Sequence, residues 1–182
     1  TGITIRGNTP SITINGGMSV TGGVMTGWTI RDLAFTTSMV VWNVAGSFTL
    51  QGLNTTAIRV GDLTQDTNAA ITVNGCNLTG GSIAEISIVG GTGVDIAGWI
   101  TITNNIAQVL NIFTKTSGSN PAPNSANITV SNNQLVTGAN IVVDSDGSGG
   151  VGDVTGTIQF VNNIMSPTGG VLGIVVVGNA TG

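Results

Sequence analysis

Apolar and polar residues alternate along this chain in short runs that recur at a nearly regular interval. Aligned on one apolar-polar-apolar triplet, the sequence reads Trp28-Thr29-Ile30, Phe48-Thr49-Leu50, Ile71-Thr72-Val73, Ile100-Thr101-Ile102, Ile128-Thr129-Val130 and Ile158-Gln159-Phe160. Successive starts lie 20, 23, 29, 28 and 30 residues apart, and two further copies, Ile3-Thr4-Ile5 and Ile12-Thr13-Ile14, stand upstream. Alternation with period two turns one face of a strand to a core and the other to water. A strand that returns at this interval predicts a stacked repeat, in which each unit covers its apolar face with its neighbours.

The residues after each triplet fall into columns. Two positions past the second apolar residue stand Asp32, Gly52, Gly75, Asn104, Asn132 and Asn162, the types that tolerate a left-handed backbone, so this column predicts a turn. The next column reads Leu33, Leu53, Cys76, Asn105, Asn133 and Asn163. We read it as an inward ladder, apolar in its first half and asparagine in its second, with amides bonding from unit to unit. Cys76 is then a small core residue and not a nucleophile.

A second strand is expected in each unit, over 39–44, 57–60, 83–89, 109–113, 141–143 and 171–177. The segments 61–70, 90–98, 114–126 and 144–157 read as irregular loops leaving at one corner, and the first connection, 45–47, is very short. Glycine and β-branched residues break every helical period. The expected fold class is therefore all-β, a right-handed single-stranded parallel β-helix with coils of about 20–30 residues. Residues 1–182 make one such domain, read as a processed or excised part of a longer protein because the chain starts at Thr1 without a leader.

Composition narrows the partners. Only 7% of the residues are charged, against about 25% in an average domain, and glycine, Thr, Asn and Ser supply the polarity. The net charge of −4 comes from 4 basic and 8 acidic residues, so there is no basic patch to neutralise phosphates and nucleic acid is not an expected partner. The apolar runs, such as 171–177, are too short to span a membrane.

The outward residues of the first strand form a column of Thr29, Thr49, Thr72, Thr101, Thr129 and Gln159, flanked by Arg31, Gln51, Asn74, Thr103, Ser131 and Val161. This flat, hydroxylated face, with Thr29, Thr49, Thr72, Thr101 and Thr129 at its centre, is the candidate binding surface. It suits a glycan, a sister chain or ordered water, although threonine is also simply the best polar strand former. Asp144, Asp146 and Asp153 cluster in a glycine-rich segment as calcium ligands do, but their spacing does not match an EF-hand, and a solvated loop is the expectation. The neighbours Arg31 and Asp32, and Arg59 and Asp62, are expected to form local ion pairs. The sequons at Asn54, Asn77, Asn127 and Asn179 carry no weight in so Asn/Thr-rich a chain.

The segments at 100–105, 128–133 and 158–163, each a strand followed by an Asn-Asn pair, resemble the pectate-lyase-like right-handed β-helix of polysaccharide lyases, phage tailspikes and fibres, and bacterial adhesins. The resemblance covers the chain roughly from Trp28 onward and is one of architecture. It implies either polysaccharide chemistry or a structural and adhesive role. Polygalacturonase-like members use paired aspartates, a histidine and a basic segment, and this chain has no histidine and no adjacent Asp pair. Lyase-like members need a basic residue, and only Arg6, Arg31, Arg59 and Lys115 are present. We therefore expect no catalytic residues, no cofactor and no metal.

The expected function is a structural or adhesive module of a phage tailspike, tail fibre or particle-surface spike, with a bacterial adhesin or filament module as the alternative. A polysaccharide-cleaving or ice-binding solenoid ranks behind both. No terminal cap is evident, and with so little charge this predicts a homo-oligomer, a trimer or larger assembly, on the virion surface or otherwise extracellular, with a cell-surface glycan as partner.

Overall fold

The β-branched residues of the repeated triplets sit in strands because their stiff side chains pack well on a pleated surface and poorly on a helix. The computed structural model describes residues 2–8, 12–22, 24–42, 45–63, 67–78, 85–90, 96–115, 124–147, 150–151, 153–166 and 170–180. Among these, all regular structure is strand.

Two nine-stranded sheets carry the fold. The first runs in the order Thr4–Arg6, Val24–Arg31, Ala45–Gln51, Thr67–Asn74, Ile96–Thr103 and Asn124–Ser131, continued by Asp153–Val154, Asn179–Ala180 and Ile158–Val161. The second runs Met18–Thr21, Met39–Trp42, Ile58–Leu63, Glu85–Gly90, Ile106–Lys115 and Gln134–Asp144; Asn77–Leu78 joins at Ile106–Lys115, and Ile164–Met165 and Val171–Val177 join at Gln134–Asp144. Every pairing within these two sheets is parallel. The chain visits the two sheets in turn, and each visit adds a strand beside the one left on the visit before.

The registers match the sequence alignment. Phe48 lies opposite Ile71, Ile71 opposite Ile100, Ile100 opposite Ile128 and Ile128 opposite Ile158. Burial along Asn124–Ser131 alternates without a break. Inward residues from both sheets merge into one core, in which Ile30, Leu50, Ile58, Ile102, Leu110 and Ile112 are fully buried. Burying each such side chain contributes about 1.5–3 kcal/mol. Parallel sheets usually hide both faces under helices and lose the alternation. Here no helix among the described residues covers the outer face of the first sheet, which is why its outward column stays polar.

The turn column adopts the predicted conformation throughout. Asp32, Gly52, Gly75, Asn104, Asn132 and Asn162 have φ of 57°, 58°, 63°, 57°, 57° and 54°. In the left-handed region a Cβ crowds the following carbonyl, and Asn and Asp offset this strain by local hydrogen bonding.

Three expectations need correction. Ile3-Thr4-Ile5 is a true copy of the motif, with Thr4 opposite Thr29, but Thr13–Ile14 pairs with Ala34–Phe35 in a separate short column. A full pass from Thr4 to its partner takes 25 residues, so a copy nine residues on falls elsewhere. Second, strands extend into the segments read as loops. Thr67–Asn74, Ile96–Thr103 and Asn124–Ser131 each begin well before their apolar triplet, because pairing on both sides holds weakly patterned residues extended. What remains of those loops, at 64–66, 91–95 and 116–123, lies outside the described residues. Third, Asp144 is not in a solvated loop. It ends the strand Gln134–Asp144, buried between strands on both sides, and the next residues form a small antiparallel pair, Asp146–Gly147 with Gly150–Val151.

Both ends of the sheets expose apolar residues. Ile3, Ile12 and Ile14 stand out at one end, and Ile164, Val171, Leu172 and the run from Ile174 to Val177 at the other. The strand Val171–Val177 pairs with Gln134–Asp144 along one edge only among the described residues.

Candidate functional site

The outer face of the first sheet holds the predicted surface. Thr4, Thr29, Thr49, Thr72, Thr101, Thr129 and Gln159 form one unbroken column of paired residues. Adjacent strands lie about 4.8 Å apart, so the column presents a hydroxyl at each such step. Thr29 to Thr129 are all half-buried, gripped by the columns on either side.

One flanking column is Arg6, Arg31, Gln51, Asn74, Thr103, Ser131 and Val161, as the sequence alignment requires. Its side chains bond to one another: Ser131 Oγ donates to Thr103 Oγ1 at 3.2 Å, and the turn residue Asn104 donates from Nδ2 to Asn74 Oδ1 at 3.0 Å. Its charged residues sit only at the N-terminal end. Arg6 Nε and Asp32 Oδ2 are 3.2 Å apart, and Arg31 Nε lies 3.8 Å from the same oxygen, which is charge proximity and not a hydrogen bond. Arg59 is exposed on the second sheet, and the side chain of Asp62 is outside the described residues.

The other flanking column contains what the sequence reading missed. Ala70, Trp99 and Asn127 pair across the strands, and the N–H of Thr157 donates to Asn127 Oδ1 at 3.3 Å, extending the row. Trp99 is 62% exposed, an unusual state for the largest apolar side chain. The signal was present, since Trp99 directly precedes the triplet at Ile100 and alternation turns that position outward. Trp99, Asn127, Thr129, Thr157 and Gln159 line a depression of about 110 Å³. A second depression, of about 160 Å³, lies farther along the same face between Trp28, Thr29, Thr49 and Thr72. A third, of about 290 Å³, is at the N-terminal end beside Arg6, Asp32 and Asn54.

Behind this face the asparagine ladder holds the strands in register. Asn105 Nδ2 donates to Val73 O and to Asn133 Oδ1, both at 3.0 Å, and its backbone N–H reaches Asn133 Oδ1 at 2.9 Å. Asn133 repeats the pattern with Ile102 O and Asn163, and Asn163 donates to Val130 O. Asn105 and Asn133 are almost fully buried. At the change from asparagine to apolar residues, Asn105 Oδ1 accepts the backbone N–H of Cys76 at 2.9 Å. Cys76 itself is buried, and burial raises its thiol pKa to about 11, against weaker lowering by backbone hydrogen bonds. It is a core residue with no nucleophilic character at neutral pH.

Of the three clustered aspartates, Asp144 is buried, Asp153 is exposed, and the side chain of Asp146 is outside the described residues. Among the described residues no three carboxylate, thiol or imidazole groups cluster to hold a metal. No described helix is long and apolar enough to cross a membrane.

No protein-family model matches this chain, and no curated protein or solved structure matches it either.

Proposed function

We propose that the two parallel sheets belong to successive coils of a right-handed β-helix like that of the pectate-lyase-like proteins, and that the coil stack serves as a structural and adhesive module at the surface of a phage particle, in a tailspike, tail fibre or attached spike. The observation that carries this reading is the outer face of the first sheet: a neutral, in-register column of hydroxyls on a rigid scaffold, with no charged side chain in that column or in the two columns flanking it from Gln51 onward among the described residues. Such a face suits a neutral, hydroxyl-rich partner better than a nucleic acid or a metal-bridged substrate.

The apolar ends support assembly. Exposed strand edges and an uncovered core cross-section invite pairing with another chain, and low surface charge does little to oppose it. A homotrimer is the assembly proposed, extracellular on the virion. Light scattering and negative-stain imaging of this chain test it: the proposal requires a rod of about three times its 18.1 kDa mass. A soluble monomeric rod overturns it.

A further inference from the structure

The exposed indole of Trp99 stands on the same face as the threonine column, beside the amide of Asn127 and next to Gln159, which continues the column beyond Thr129. We propose that Trp99 is the platform of a saccharide subsite, with Asn127, Thr129, Thr157 and Gln159 as its polar wall; this rests on the adhesive reading above and names where that face takes its ligand.

The chemistry favours a neutral pyranose. One face of such a ring is a patch of C–H groups, which stacks on an indole, while its rim is a ring of hydroxyls that both donate and accept. The rest of the depression supplies what the rim needs. Two amides and two threonine hydroxyls line it, and among the described residues no charged side chain does. Asn127 is held in place from both sides: its Oδ1 accepts from Thr157 N–H at 3.3 Å and its Nδ2 donates to Ser125 O at 3.4 Å. An amide offers two N–H groups and two lone pairs, so one of each remains for a ligand. A preset amide on a paired strand loses little freedom on binding.

The depression is far smaller than the roughly 300–1,000 Å³ that enclose a drug-sized molecule, so the sugar lies against the sheet and is not swallowed by it. About 12 non-hydrogen atoms at ordinary efficiency give a dissociation constant near 1 mM for a single ring. Useful affinity then comes from a longer glycan or from several copies of the site. The second depression lies along the same column, and Thr49 and Thr129 are three interstrand steps, about 14 Å, apart, so one linear oligosaccharide can reach both.

The test uses the full chain with maltohexaose, cellohexaose and chitohexaose, read by binding to the immobilised sugars and by the indole N–H resonances in solution. At least one sugar is expected to bind and to shift the Trp99 resonance, and a sugar that also reaches the second depression is expected to shift that of Trp28. Trp99→Ala should weaken binding about tenfold or more, Trp99→Phe less, and Gln159→Ala about threefold, with melting temperature unchanged because Trp99 is mostly exposed. Binding that survives Trp99→Ala but is lost in Thr49→Lys overturns the subsite and leaves the adhesive face standing. A wild-type Trp99 resonance that no sugar shifts, with no binding to any immobilised glycan, overturns both.

Discussion

The side-chain oxygen of Asn133 accepts two hydrogen bonds from Asn105, one from its backbone N–H at 2.9 Å and one from its Nδ2 at 3.0 Å. This one atom satisfies two buried donors of the neighbouring strand turn, and Asn163 does the same for Asn133. The ladder is therefore directional. Each asparagine serves the unit before it, and removing one strips partners from its predecessor.

Asn133→Ala should accordingly destabilise the fold by about 2–4 kcal/mol, since it leaves the backbone N–H and one amide N–H of Asn105 without their acceptor in the core. Asn163→Ala should cost less, because Asn163 is only partly buried. Urea unfolding followed by circular dichroism checks the order; equal costs would contradict the directional ladder.

Cys76 predicts a pH dependence. Its folded pKa of about 11 lies above the ordinary 9.0, so above pH 9 the unfolded chain releases the thiol proton while the folded chain keeps it. Stability contributed by this group is complete below pH 9 and falls as pH rises toward 11, by about 2–3 kcal/mol. Cys76→Ala should lower stability at pH 7 and flatten this alkaline loss. Native Cys76 should also resist thiol reagents at pH 8 until denaturant is added.

The turn column separates strain from packing. Asn132→Gly should be neutral or slightly stabilising, and Asn132→Ala should cost about 1 kcal/mol, because φ is 57° there. Gly75→Ala should cost a similar amount from backbone strain alone, as an added Cβ meets no atom within 4 Å, whereas at Gly52 it would also meet Asp32 Oδ1 at 3.0 Å. Thermal melts of the three alanine variants should rank Gly52→Ala as the least stable.

The edge strand Val171–Val177 predicts self-association. Val175 is 46% exposed and lies opposite Val142, whose side chain faces outward. Val175→Lys should leave the melting temperature within a degree or two while reducing concentration-dependent association, because an edge lysine opposes strand addition at little cost to the fold. Sedimentation velocity over a hundredfold concentration range reads this out.

Much of the site was legible in the chain. The threonine column follows from alternation, the left-handed column from the residues that tolerate positive φ, and the ladder from the change of Leu53 to Asn105 across Cys76. These are local properties: period two and Cβ sterics act within a few residues, and the sequence alone determined them. Which residues stand opposite one another, and how far pairing runs, is not local. Passes of unequal length must be brought into register, and only the tertiary structure decided that Thr67, Ile96 and Asn124 already lie in strands, each four residues before the apolar triplet. The same pairing buried Asp144 between Lys115 and Val177 and sent Thr13–Ile14 to a different column from Thr4. Trp99 belongs to both accounts. Alternation alone turns it outward, but its place beside Asn127 and within reach of Gln159 exists only because strands 28 and 30 residues apart in sequence lie about 4.8 Å apart in space.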